Sequence, residues 1–213
     1  MMLWLTRIEP NPANTAVRVE LRNAVRMHQR VMSLIPGALG DSPRRQAGLL
    51  YRIDENRSGT HILIQSTQEP DLTAIPPAYG TTAVRNLTPL LDALEPGMTV
   101  HYRLAGNAVK RLGRTSPNAG KLVALRGEQI SRWWITRAPA CGLHLETLDA
   151  TPIGYIRGQR PNSDPNARVR HAVTRFDGIA VVTDPHELRR AVRAGVGHGK
   201  SHGCGLLSLA PAR

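Results

Sequence analysis

Gly195-Val196-Gly197-His198-Gly199-Lys200-Ser201-His202-Gly203-Cys204-Gly205-Leu206-Leu207-Ser208-Leu209-Ala210-Pro211 is the stretch from which the fold is read. Five glycines among its first eleven residues free the backbone for positive φ and close approach, so N–H groups can gather around an anion beside Lys200. Gly199-Lys200-Ser201 imitates the end of the nucleotide-binding pattern G-x-x-x-x-G-K-[ST]. The first glycine of that pattern would fall at residue 194, which is Ala, and a strand-like run follows where a helix is required. An ATPase is therefore disfavoured. The segment reads instead as a phosphate-handling loop between a helix over 187–194, capped by Asp184, and a final strand over 206–209.

Outward from this loop, the second half offers strands at 99–104, 122–125 and 144–148 and a helix over 128–137 that carries Trp133 and Trp134. Residues 149–168 form a Gly/Pro/Arg-rich excursion, and 169–173 with 176–182 predict a hairpin. The first half repeats the grammar: a strand at 3–8, a helix from 15 to about 34 stopped by Pro36-Gly37, and two strands, 49–53 and 61–66, around the polar turn 54–59. Residues 67–96 read as mostly irregular, with a short strand near 83–87, and a second helix has no clear place there. The order β, α, ββ, α, β is that of the split ferredoxin-like unit used by RNA-recognition modules. The expected class is thus α+β, two tandem ferredoxin-like (RRM-like) domains, with Glu95-Pro96-Gly97 dividing residues 1–94 from 97–213.

Charge separates the halves more sharply than pattern does. Residues 1–96 hold ten Arg and nine acids, whereas 97–213 hold eighteen Lys and Arg against seven acids, so nearly all of the net charge of +12 lies in the second half. A field of that sign and placement favours a polyanion such as nucleic acid. The apolar opening is too short for a signal peptide or a membrane span, and no later run approaches eighteen apolar residues, which predicts a cytoplasmic protein. Cys141 and Cys204 lie far apart with no C-x-x-C, so they read as buried small side chains, with neither a disulfide nor a structural zinc expected. His198 and His202 stand four apart among glycines without an accompanying acid, and the carboxylates are scattered, so no metal site is expected and a two-metal nuclease has little support.

Three segments resemble one family. The glycine-rich stretch above is similar to the signature of CasE, the CRISPR repeat-processing endoribonuclease of the type I-E Cascade complex. Tyr102-Arg103-Leu104-Ala105-Gly106-Asn107-Ala108-Val109-Lys110-Arg111 resembles that family's strand and basic loop, and Ile64-Gln65-Ser66-Thr67-Gln68-Glu69-Pro70-Asp71 its first-domain strand end. The resemblance covers essentially the whole chain. It implies two ferredoxin-like domains, recognition of a CRISPR repeat hairpin, and a metal-independent cut at the 3′ base of the stem. That chemistry leaves a 2′,3′-cyclic phosphate and a 5′-OH, needs no cofactor, and ends with the enzyme kept on its crRNA as a Cascade subunit. The alternative is a non-cleaving hairpin-binding subunit of the same complex.

Within that resemblance, His28 occupies the place of the family's catalytic histidine, and its reference pKa of about 6.5 suits proton transfer near neutrality. Family members often carry a tyrosine three residues earlier, where this chain has Val25, so the second catalytic group is unassigned. Arg22 and Arg26 flank the histidine, and Gly197, Gly199 and Lys200 provide a phosphate platform. Two basic loops in the charged half, one bracketed by Arg103, Lys110, Arg111, Arg114 and Lys121 and the other by Arg157, Arg160, Arg168 and Arg170, are expected to grip the stem. Aromatic residues make up only 4% of the chain, which argues against base stacking on a sheet face, and at least one of Trp133 and Trp134 is expected in the core.

Overall fold

A computed structural model describes residues 2–37, 40–159 and 168–212. In the first half, β1 (Trp4–Pro10) leads into two short helices, α1 (Thr15–Leu21) and α2 (Ala24–Met32), and a single turn, α3 (Pro43–Gln46). Strands β2 (Leu50–Asn56), β3 (Gly59–Ser66) and β4 (Gly80–Asn86) complete an antiparallel sheet in the order β2-β3-β1-β4. The stretch expected as one helix is two, because Asn23 turns its side-chain oxygen onto the N–H of Val25 and starts a second helix. Met27 and Val31 then face Ile8, Tyr51, Ile62 and Ile64 in the first core.

After α4 (Thr88–Asp92), the second half runs β5 (Thr99–Gly106), β6 (Val109–Arg111), β7 (Leu122–Ala124), α5 (Glu128–Ile135), β8 (Leu143–Leu145), β9 (Asp149–Gly158), β10 (Val169–Val182), α6 (Pro185–Ala194) and β11 (Leu207–Pro211). Its main sheet has the order β11-β5-β10-β8, so in each half the fourth strand of the unit lies beside the first, and the first beside the third. Both halves therefore have the ferredoxin-like arrangement, and the α+β reading stands. Trp133 and Trp134 are both buried, Trp133 stacking on Phe176 at 5.6 Å between ring centroids. Their bulk goes to the core, which removes both from base stacking. Asp184 caps α6 as expected, accepting from the N–H groups of His186 and Glu187.

Two expectations give way. Residues 122–125 do not join the main sheet, because β7 pairs only with β6 in a separate two-stranded ribbon. The segment read as an excursion is strand β9, whose partner β10 is continuous over fourteen residues where a hairpin of two short strands was expected. Pro152 is tolerated in β9 because that strand lies at an edge and its register on β10 slips between Val173 and Thr174. Both cysteines are buried and free. Among the described residues no helix is long and apolar enough to cross a membrane.

Side chains of the first half lock onto the second. Arg52, almost wholly buried, pairs with Asp54 and donates to the carbonyls of Arg103 and Leu206 and to Ser208 Oγ. Gln65 Nε2 donates to the carbonyl of Val192 at 2.9 Å. These bonds set how the α2 face of one half meets the glycine-rich loop of the other.

Candidate nucleic-acid and proton-transfer site

The glycine-rich loop ends in one turn of 3₁₀ helix, Lys200–His202, between Gly199 and Gly203, whose φ values are +78° and +82°. A β-carbon at Gly199 would press on Cys204 and touch the His171 ring, and one at Gly203 would press on Tyr51 and Ile156. Glycine is thus required at both ends of the turn for conformation as well as space. The turn packs against α2 and β2, bringing residue 202 to residue 28. Gly197 has its own left-handed conformation and lies against the Trp133 ring.

The loop's N–H groups are less available than its composition predicts. Those of Val196 and Gly205 bond to Gly205 O and Ala105 O, and those of His202 and Cys204 both go to Gly199 O. Lys200 Nζ donates to the carbonyl of Ala194 at the end of α6, 2.8 Å away. These four N–H groups brace the loop internally and are not open to an anion. What the brace presents is side chains.

His28 is half-buried on α2, and its Nδ1 is enclosed with no hydrogen-bond partner. Nε2 is then the nitrogen left for proton exchange. Burial first, and then the nearby Arg44 guanidinium, hold His28 below the usual histidine range, so it rests neutral near pH 7. The His202 ring stands edge-on to His28, 6.2 Å between centroids. On its other side His202 stacks on His171 at 5.2 Å, with His202 Nδ1 and His171 Nε2 3.1 Å apart. His171 Nδ1 is in turn 3.1 Å from the side-chain amide nitrogen of Asn107. Because the two rings bond to one another, these nitrogens do not converge on a common point as ligands of an ion would. Cys204 beside them is inert, its thiol pushed up to about 12 by burial.

The cationic side chains fall into three groups. Arg22, Arg157, Arg168 and Arg170 line one cavity of about 560 Å³ between α2 and the β9–β10 pair, with Arg170 lying over the Tyr155 ring. Lys110 and Arg111 line a second, about 630 Å³, with His198, and Arg111 also donates to Gly120 O. A third group was not read from the sequence: Arg44, Arg45, Arg189, Arg190, Arg193 and Lys200 border a groove of about 790 Å³. Arg189, Arg190 and Arg193 share α6, a helical spacing that could have drawn attention to them, whereas nothing local joins them to Arg44. Lys121 and Arg114 are exposed on the β6–β7 connection. Arg160 lies outside the described residues.

Two expected contacts are placed differently. Arg103 is held by Asp177 and lies 3.9 Å from Asp54, so its charge is already neutralised inside the protein. Arg26 is exposed, about 200° around the helix axis from His28 at 3.6 residues per turn, and so does not share its face. Tyr51, the hydroxyl nearest the α2 start, is buried with its pKa raised and its OH aimed at Ala24 O, which makes it a poor proton carrier.

Residues 3–211 match the family described as CRISPR associated protein. Among known proteins, the chain is 31% identical to the CRISPR-associated endoribonuclease Cse3 of Thermus thermophilus, over 98% of this chain and 100% of that one. It is 28% identical to the CRISPR system Cascade subunit CasE of Escherichia coli K12, covering 89% of this chain and 93% of that protein. Among solved structures, Cse3 bound to a 19-nucleotide RNA superposes with a TM-score of 0.85 at 29% identity, covering 99% and 100% of the two chains. A chain of a CRISPR RNA-guided surveillance complex matches with a TM-score of 0.70 at 36% identity, covering 98% and 100%.

Proposed function

The chain belongs to the CRISPR-associated protein family, and from that premise we propose that it is a CRISPR pre-crRNA endoribonuclease. It binds the repeat hairpin, cuts at the 3′ base of the stem and stays on the crRNA handle as a subunit of a Cascade assembly. The names of the relatives, an endoribonuclease and a Cascade subunit, support this reading. In it, residues 1–94 carry His28 and residues 97–213 supply most of the grip on RNA.

The observation that carries the chemistry is the half-buried His28 ring on α2, which packs against the Lys200–His202 turn with Arg44 near enough to lower its pKa. A neutral imidazole accepts a proton, and Arg44, with Lys200 on that turn, offers positive charge to a phosphate. His28 takes the proton of the 2′-OH adjoining the scissile phosphate. The 2′-oxygen then attacks phosphorus, the P–O5′ bond breaks, and a 2′,3′-cyclic phosphate and a 5′-OH result. RNA supplies its own nucleophile, so the step requires no metal and no cofactor. Arg22, Arg157, Arg168 and Arg170 reach phosphates of the stem, and Lys110 and Arg111 do so from the ribbon. Gly197 and Gly199 act by shaping the loop, and Lys121 and Arg26 are peripheral to this set.

Incubating the protein with the repeat RNA of its host's CRISPR array in EDTA tests the reading. One cut per hairpin with a cyclic-phosphate end, abolished by a 2′-deoxy sugar at the scissile position, is expected. A second reading, a hairpin-binding subunit that does not cleave, is favoured by the buried and proton-less Val25. Tight binding of intact RNA under the same conditions would select it and overturn the nuclease.

A further inference from the structure

Cleavage by 2′-OH attack moves two protons: one leaves the nucleophile, and one must reach the 5′-oxygen as the P–O5′ bond breaks. His28 accounts for the first. Around it, Arg44 stays protonated at any working pH, Tyr51 points its hydroxyl into the protein, and Lys200 Nζ is braced on Ala194 O. A histidine, unlike these, can both hold and release a proton near neutrality. The His202 ring faces His28 across a gap of 6.2 Å between centroids. Two imidazoles so placed can flank one phosphate, each within the roughly 2.6–3.2 Å that a proton carrier needs to reach its oxygen.

We propose that His202, oriented by His171 and Asn107, is the second catalytic group of this enzyme and protonates the departing 5′-oxygen. This rests on the nuclease reading above.

The Asn107–His171–His202 chain is suited to that task. With the Asn107 amide donating to His171 Nδ1, His171 Nε2–H donates to His202 Nδ1, and His202 is neutral. Turning the amide half-way round puts Oδ1, which is buried and has no other partner, against His171 Nδ1–H. His171 Nε2 then accepts from His202 Nδ1–H, and an imidazolium at 202 has its inner proton satisfied while Nε2–H is given to the leaving oxygen. Each protonation state of His202 thus finds a matching arrangement behind it. The proton balance closes: His28 gains the 2′-OH proton, the 5′-oxygen gains one from His202, and solvent exchange resets both. Asn107 also pairs its backbone with His198, which fixes the chain to the base of the loop. His171 and Asn107 act through His202 and are positioning residues.

Among the described residues, the charged and titratable groups around this pair include Arg44 from α3, Lys200 from the turn and His171 from β10 with His198 behind it, and, in the cavity that His202 lines, Arg22, Asp54, Glu55, Arg157 and Arg175. Charges of both signs bear on the two imidazoles, so the test uses a leaving group as well as pH. Single-turnover cleavage is measured on the repeat RNA and on the same RNA with sulfur replacing the scissile 5′-oxygen, since a thiolate leaves without a proton. His202→Gln is expected to slow the oxygen substrate by about 10²–10⁴-fold, bind RNA like the parent, and cut the sulfur substrate at the parental rate. His171→Gln should show a smaller loss with the same rescue. The alkaline limb of the parent's pH profile should vanish in His202→Gln. Equal slowing on both substrates would assign His202 a structural role, and an unchanged rate would remove it from the site. Rescue of Lys200→Ala but not His202→Gln by sulfur would move the acid to Lys200. If the parent fails to cut either RNA, the nuclease reading itself falls; if His28→Ala cuts as fast as the parent, the assignment of His28 falls while the activity stands; a silent His28→Ala with a normal His202→Gln overturns only this inference.

Discussion

At the scale of single residues, the chemistry turns on how His28 is held. Its Nδ1 is enclosed without a partner and the ring is half-buried, so charging it would put an imidazolium where water reaches it poorly, and this is why burial leads the depression of its pKa. As a base His28 is active when neutral, so the acidic limb of the cleavage rate should rise with pH through a value below 6.5, ahead of the alkaline limb assigned to His202. The unfolded chain binds that proton more readily than the folded one. His28 therefore lowers stability as pH falls from about 6.5 toward the folded value, and its cost fades above that window. Arg44→Ala removes the second cause of the shift, and the acidic limb of a single-turnover pH profile should move to higher pH. A limb that stays in place would show that Arg44 does not act on His28. His28→Ala should cut at a rate lower by about 10²–10⁴-fold, with RNA affinity, followed by filter binding, close to the parent's. The position of His28 is readable only through resemblance to a family, since one histidine on a helix carries no signal of its own. Its surroundings are not readable at all: His171 and His202 lie on either side of α6 in the chain, and no periodicity links them.

At the scale of elements, local chemistry in the sequence agrees with the outcome wherever it has a local cause. The Asp184 cap, the glycine-rich loop and the β2–β3 hairpin each depend on a few adjacent residues. The misreadings depend on partners far along the chain. Strand β9 has the Gly and Pro of a loop and becomes a strand because β10 offers fourteen residues of backbone for it to pair with. The break between α1 and α2 is a capping event, and an Asn within an apolar helical period signals it only once the second helix is seen. Asn23 does more than cap. Its side-chain amide donates to Gln159 O and its oxygen accepts from Gln159 N–H, so it ties the start of α2 to the end of β9. Gly158 meets that helix start so closely that a β-carbon would stand 3.0 Å from Val25 N. Asn23→Ala should cost about 1 kcal/mol in urea unfolding and should also slow cleavage, because the helix bearing His28 loses its mooring to β9. A variant of full activity would show that the mooring is irrelevant to the site. Gly199→Ala tests the loop in the same way: φ of +78° strains any side chain there and its β-carbon presses on Cys204. Loss of activity with the core intact by circular dichroism is the expected result.

At the scale of the molecule, the candidate site lies where the two halves meet, joined among the described residues by side chains such as Arg52 and Gln65. Arg52→Ala would leave Asp54 with only Arg103, 3.9 Å away, and would take the Arg52 donor from three acceptors of the second half, costing about 3 kcal/mol in denaturant unfolding. The charge asymmetry legible in the sequence gains an address in the fold, since the second half's free cations border cavities that open toward α2 and α3 of the nearly neutral first half. Sequence alone does not tell free charge from spent charge, and Arg103, which its neighbours in the chain group with the grips on RNA, is neutralised by Asp177 and Asp54. Free and spent cations differ measurably in salt. Each cation that meets a phosphate adds about 0.7–0.9 to the slope of log affinity against log salt. Replacing Arg157, Arg168 and Arg170 together by Ala should therefore flatten the salt dependence of hairpin binding by about two units if all three meet phosphates. Arg103→Ala should lower thermal stability while leaving the slope at the parent's value, because Arg103 is spent on Asp177, which its loss leaves to Arg175 alone, and no charge is taken away from the RNA. A salt titration of both variants against one hairpin decides the matter. An unchanged slope in the triple variant would take the β9–β10 arginines out of the RNA interface, and a flattened slope in Arg103→Ala would restore Arg103 to it.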